Sequence, residues 1–220
     1  MYNGGMETLP LFPLNTVLFP GQLLPLHIFE PRYRQMIGEC IQHGQAFGVV
    51  LIRSGEEVGE AAEPFGVGTT AQIVQVESVA DGRMNILCVG KARFRIVDLL
   101  HDKPYLSGQV ELWPWEPYQV GSTDVNRIRR QLDRYLHILA ETTDNKLELT
   151  LPDEPATLAN VAASVLQVEM SEKQRLLTTP SIGAMLIDIA DLLQRELRAW
   201  QIVQASRQLS PDEASSFSLN

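Results

Sequence analysis

The side chains of this 220-residue chain most versatile as nucleophile, base or metal ligand are its four histidines and two cysteines. Cys40 and His43 stand three apart, which places them on one helix face, and a thiol beside an imidazole is the start of a nucleophile–base pair. Cys40 also falls on an apolar helical stripe, where cysteine behaves as a small buried hydrophobe, and that reading is preferred. His137 and Glu141 form a solvated i,i+4 pair; zinc hydrolysis needs two histidines one turn apart with a glutamate base, and His27, His43, His101 and His137 supply no such pair. Ser171 and Lys173, two apart on a helix, point apart, and no Gly-x-Ser-x-Gly elbow occurs. Gly90-Lys91 is followed by Ala92, with Asn85 where a phosphate loop needs its first glycine. Glu56 and Glu57 lie in a Gly-rich turn and read as solvated carboxylates. No catalytic, cofactor-binding or metal-ligating residue is assigned, and the chain is expected not to be an enzyme and to need no cofactor.

Two basic groups remain. Lys91, Arg93 and Arg95 alternate along one strand face, and Arg127, Arg129, Arg130 and Arg134 decorate the polar side of a helix. The chain as a whole carries 18 Lys+Arg against 27 Asp+Glu, a net charge of -9. That balance argues against a general nucleic-acid binder and against an anionic membrane surface. An RNA-facing strand at Arg93 and Arg95 is kept as the second reading; ion pairs tying the sheet to the helices come first. No run approaches the roughly 18 apolar residues of a membrane helix. Two cysteines cannot build a disulfide framework, and they point to a reducing compartment. The first residues lack a basic stretch and are broken by Pro10 and Pro13, unlike a signal peptide. A cytoplasmic location is expected.

The elements that position these residues change character midway. Short runs rich in Val, Ile and Phe predict strands at 7–11, 23–28, 46–53, 67–79, 83–99 and 105–113. Asp81-Gly82 between two long runs is a strong hairpin signal. One helix interrupts this half: Pro31 suits a first helical position, and Tyr33, Met36, Ile37, Cys40 and Ile41 share a face. Prolines 10, 13, 20 and 25 each remove a ladder donor, so their segment is expected at sheet edges or corners. Past Gly121 the period becomes helical. Val125, Ile128, Leu132, Tyr135, Leu136 and Leu139 form one stripe, and Leu158, Val161, Ala162, Val165 and Leu166 a second. Leu186, Ile189, Leu193, Leu197, Trp200 and Val203 form a third, with an Asp191–Arg195 pair beside it. Ser171 with Gln174 reads as a capping box, and Ser181 as the cap of the last helix.

The run Leu9-Pro-Leu-Phe-Pro-Leu-Asn-Thr-Val-Leu-Phe-Pro-Gly21, continued by Leu24-Pro-Leu-His-Ile-Phe-Glu-Pro-Arg-Tyr-Arg-Gln-Met36, resembles the opening of the Lon protease amino-terminal, substrate-binding domain. Phe65-Gly-Val-Gly-Thr69 with Ala71 and Ile73 is similar to that family's next strand, and Gly90, Arg93, Arg95 and Ile96 to the one after. Glu172-Lys-Gln, Leu176-Leu177 and Leu192-Leu-Gln-Arg-Glu-Leu197 continue the resemblance, which spans roughly residues 7–200. Ser181-Ile-Gly-Ala-Met185 departs from it, replacing a more charged stretch. The resemblance implies an α+β fold: an N-terminal PUA-like β pseudo-barrel with one inserted helix, followed by a C-terminal α-helical bundle subdomain. On this reading residues 1–117 form the β subdomain, 118–205 the helical subdomain and 206–220 a polar tail. The ATPase and Ser-Lys peptidase modules of Lon are not expected here.

What the resemblance implies for function is engagement of unfolded or extended polypeptides and a part in assembly, in the company of a protease or chaperone. An edge strand with apolar loops is a natural place to add an extended peptide. Phe12, Leu14, Leu18 and Phe19 are candidates to line such a groove, against the reading that they fill the core; Phe65 is a further contact candidate. His27 is read as a hydrogen-bonded structural group. Arg32 and Arg34, cations in a first helical turn, call for a carboxylate, expected from the helical half.

Overall fold

The computed structural model describes residues 6–57, 62–117, 121–143 and 150–209. Six strands, β1 (Glu7–Leu14), β2 (Leu23–Ile28), β3 (Phe47–Ser54), β4 (Glu63–Ser78), β5 (Met84–Leu100) and β6 (Ser107–Leu112), form one mixed sheet in the order β2-β5-β4-β3-β1-β6. β5 also pairs with β6, so β5, β4, β3, β1 and β6 form a closed circuit of partners, with β2 attached outside it. The length of β5 makes this arrangement work. Its first part, Met84–Val89, pairs with β2, and Phe94–Leu100 pairs with β6.

The β4–β5 hairpin turns at Asp81 and Gly82, with φ of 62° and 70°. Both lie in the left-handed region that a tight, twist-compatible hairpin demands and that Asp-Gly tolerates. β1 departs from the edge placement expected of a proline-bearing strand, since it lies between β3 and β6. The physical requirement is met differently. Glu7–Pro10 pair only with β6, and Leu11–Leu14 only with β3, so each proline sits where one side has no ladder to break. Pro25, in contrast, is on β2, a true edge. Gly90 is required by close approach: a Cβ there would strike the Phe19 carbonyl, and the Gly90 N–H donates to the Gln22 carbonyl at 2.9 Å.

Among the described residues five α-helices join the sheet: α1 (Pro31–His43), α2 (Ser122–Thr143), α3 (Pro155–Val165), α4 (Met170–Leu177) and α5 (Ile182–Leu209). Pro31 opens α1 and Gly44, at φ 63°, closes it. The α3 start is capped by the Glu154 carboxylate, which accepts from the Ala156 and Thr157 N–H groups at 2.9 and 2.6 Å. Ser181 caps α5, accepting from Ala184 N–H at 3.2 Å. Ser171 does not cap α4, because that helix begins with Glu169 at its N-cap; Gln174 turns inward and donates to the Val67 carbonyl of β4 at 3.0 Å. Arg195 leaves Asp191 aside and takes Glu172 at 2.6 and 2.9 Å.

The predicted helical stripes face one another. Ile128, Leu132, Leu158, Leu176, Ile189 and Leu193 form a single core joined by Val17, Phe19 and Leu51 from the sheet side. Val203, at the end of the third stripe, is exposed. A second core lies between α1 and the sheet, and a third, around Leu11, Val50 and Phe94, between the strands. No helix among the described residues is long and apolar enough to cross a membrane.

Candidate functional site

The four apolar candidates for either groove or core are buried in the core. Phe12, Leu14, Leu18 and Phe19 retain only 6%, 3%, 2% and 0% exposure. Phe12 stacks on Tyr33 with ring centroids 4.1 Å apart and leans on Phe47. Phe19 enters the helical core, and the Leu18 carbonyl accepts from Thr69 Oγ1 at 2.6 Å. The prolines bend this segment onto β5, and that close approach turns its large side chains inward. Phe65 is half-buried against the helical core and helps join sheet to helices.

His27 is exposed on β2 and its Nδ1 pairs with Asn85 Oδ1 at 2.7 Å. Its ring lies 6.0 Å from that of Phe29. The carboxylate that holds Arg32 comes from Glu30, 3.0 Å away and immediately before α1, instead of from the helical half. Arg32 also lies over the Tyr33 ring. Arg34 reaches the hairpin turn, where its guanidinium fills the space beside Gly82; it has no carboxylate partner among the described residues. α1 packs on the sheet, in a core that contains none of the residues of the helical half.

Arg93 ties the two halves together at their seam, and the bonds are not ion pairs. It is 2% exposed, and Nη1 donates to the Leu177 and Thr179 carbonyls at 2.7 and 2.8 Å. Nη2 reaches the Pro114 carbonyl at 3.4 Å. The guanidinium lies 3.2 Å from the Trp115 ring centroid and 4.2 Å from that of Trp113, whose ring Arg95 also covers at 3.7 Å. Burial, and then the Arg95 charge, lower its pKa; the carbonyls and aromatic faces offset the lost hydration. An RNA-facing role for Arg93 is excluded by this burial.

Cys40 and His43 do not meet as a dyad. His43 Nδ1 contacts the Glu39 carbonyl at 2.8 Å, and burial pushes the Cys40 thiol up to about 11 and Cys88 up to about 12. The polar cluster that does form was missed in the sequence. Glu39 accepts from Tyr105 Oη at 2.5 Å, from Gln35 Nε2 at 2.9 Å and from Lys103 Nζ at 3.2 Å. Those bonds, the tyrosine first, hold the Glu39 carboxyl down to about 2. Its members come from α1 and from the loop between β5 and β6, far apart in the chain, and no spacing rule reveals it.

A small surface pocket lies beside β2. It has a volume of about 160 Å³ and is lined by Pro25, Leu26, Phe29, Tyr33 and the buried Phe12 and Leu14, with His27, Glu30 and Glu57 adding polar groups to its wall. Phe29 is 48% exposed at its rim. Among the described residues β2 has a strand partner on one side only, so its other edge is unpaired there, alongside this pocket. A second depression, about 210 Å³, lies between α1 and β4 under Ile41, Val74 and Val76. Among the described residues no group of three His, Cys, Asp or Glu could hold a metal ion.

A mixed-sheet α+β domain, with one helix between its second and third strands and four more docked through a buried arginine, is the class this architecture defines. The model of one family, described as the ATP-dependent protease La (LON) substrate-binding domain, matches residues 8–195, and the chain belongs to that family. It is 29% identical over 197 residues to Lon protease 2 of Myxococcus xanthus, covering 86% of this chain and 24% of that protein. Against the Lon protease of Anaeromyxobacter dehalogenans it is 28% identical, covering 86% of this chain and 23% of the relative. The chain thus spans about a quarter of the length of these relatives. Among solved structures, a Lon N-terminal domain protein from Xanthomonas campestris superposes with a TM-score of 0.64 at 26% identity, covering 88% of this chain and 98% of that one. The N-terminal domain of the Mycobacterium avium complex Lon protease shares the fold, with a TM-score of 0.60 at 19% identity over 86% of this chain and 98% of that one.

Proposed function

We propose that this protein is a non-catalytic polypeptide-binding module that acts in protein quality control as an adaptor or chaperone-like factor, delivering exposed extended segments to a protease or chaperone. The observation that carries the reading is the apolar pocket under Phe29 beside the unpaired edge of β2. An extended peptide laid along that edge gains main-chain hydrogen bonds, and alternate side chains can enter the pocket. Pro25 lacks an N–H, so any such peptide pairs with the flanking residues of the strand. The burial of Phe12 and Leu14 suits this arrangement, since a rigid floor lowers the ordering cost of binding. The closed strand circuit supports a PUA-like pseudo-barrel over residues 1–117, and the shared helical core supports a bundle subdomain over residues 118–205. The cytoplasm is the proposed setting.

The test is binding of fluorescently labelled, reduced and carboxymethylated lactalbumin by anisotropy. Phe29→Asp, at an exposed rim position, should weaken binding about tenfold while leaving the melting temperature unchanged, the behaviour of an interface anchor. Unchanged affinity in that variant removes the site, and absence of binding by the parent protein removes the function.

A further inference from the structure

The α2–α5 face carries a feature that the β2 pocket does not use. Arg127, Arg130 and Arg134 follow one another at i, i+3 and i+7 along α2 and line a cleft of about 400 Å³, closed on the other side by α5 with Arg198. Residues so spaced occupy one helix face. Arg127 has a distant carboxylate, Asp124 at 3.7 Å, and both are well exposed. Arg130, Arg134 and Arg198 have no carboxylate partner among the described residues. Three unpaired arginines in one cleft of a chain with net charge -9 represent a local field opposed to the protein's own.

We infer that this cleft is a docking site for an acidic, helical polypeptide segment. Guanidinium groups match carboxylates in geometry as well as charge. Gln131, which also lines the cleft, has its Oε1 buried without a hydrogen-bond partner among the described residues, and that acceptor calls for an N–H donor. A helical peptide brings carboxylates along its side and free N–H groups at its first turn and on its polar side chains; a bare phosphate brings no N–H. Leu197 provides an apolar floor between the charges. The furrow between two adjacent helices, both presenting i, i+3, i+4 and i+7 positions, has the shape that receives a third helix. No aromatic side chain lines it, so the stacking that holds single-stranded nucleic acid is missing.

The experiment uses the full chain and four labelled probes: a helical peptide with Glu at spacings of three and four and Leu between, its Gln counterpart, a Lys counterpart, and oligouridine RNA. The Glu peptide should bind at low salt and release as salt rises. The Gln and Lys peptides and the RNA should bind at least about tenfold more weakly. Arg130→Gln with Arg134→Gln should lower affinity for the Glu peptide about tenfold with an unchanged melting temperature, whereas Phe29→Asp should leave it intact. That last arm separates this cleft from the pocket beside β2. No binding of the Glu peptide at low salt, equal binding of RNA or the Gln peptide, or unchanged affinity in the double variant would each overturn the inference.

Discussion

Arg93 and Leu177, 84 positions apart, meet through a 2.7 Å hydrogen bond from guanidinium to carbonyl. The Leu177 carbonyl belongs to the end of α4, where orphan acceptors need a donor. One strand residue thus closes the end of a helix in the other half, while Trp113 and Trp115 sheathe its cationic face. Arg93→Ala leaves the Leu177 and Thr179 carbonyls short of a donor, and should cost about 3 kcal/mol. Arg93→Lys keeps a charge but lacks the planar fork that spans several acceptors, and should cost about 2 kcal/mol. Urea unfolding midpoints measure both; a Lys variant as stable as the parent would show that charge alone holds the halves together.

Gly90 tests the close approach of the proline-rich segment. A Cβ at this position meets the Phe19 carbonyl, which is backbone and cannot swing aside. Gly90→Ala should therefore destabilise by about 2 kcal/mol, in the range of overpacking. Gly66→Ala, where nothing lies within 4 Å of an added Cβ, is the matched control and should be nearly silent. Equal melting temperatures for the two variants would contradict the packing of residues 18–19 on β5.

The sequence made the alternation of elements plain, and the reason is local. Asp81-Gly82 encodes its own turn, Pro31 and Ser181 encode helix starts, and the stripe from Val125 to Leu136 can bury only one face. What escaped it was relational. Phe12 and Phe19 read as core before groove, but both readings stay open, because apolarity says nothing about which side the chain is covered from. Arg32 was assigned an acid from the helices although Glu30, two residues before it, suffices. The Glu39–Tyr105–Lys103 cluster and the convergence of α2 arginines with Arg198 need the fold itself, since their members are brought together only by packing.

The two thiols give an alkaline prediction. In the folded chain Cys40 and Cys88 ionise at about 11 and about 12, raised by burial from an ordinary value near 9. The unfolded chain therefore loses these protons first, and stability should decline as pH rises from about 9 upward. At pH 8 neither thiol should react with a disulfide reagent until urea unfolds the protein, whereas rapid native labelling would show that the core around α1 opens readily.

Glu39 supplies the corresponding acid limb. Its carboxyl is held down to about 2 by the Tyr105 hydroxyl first, then by Gln35 and Lys103, whereas an unfolded glutamate titrates near its ordinary 4.5. A depressed folded value means the stabilisation is fully present above 4.5 and is lost as pH falls from there through about 2. Tyr105→Phe removes the strongest of these bonds and leaves the aromatic ring in place. The variant should melt lower than the parent at pH 7, and the gap should close as pH falls toward 2, where the parent's carboxyl takes up its proton. Thermal melts of both proteins at half-unit steps across that range measure the gap, and a gap that stays constant would mean that Tyr105 contributes through packing alone.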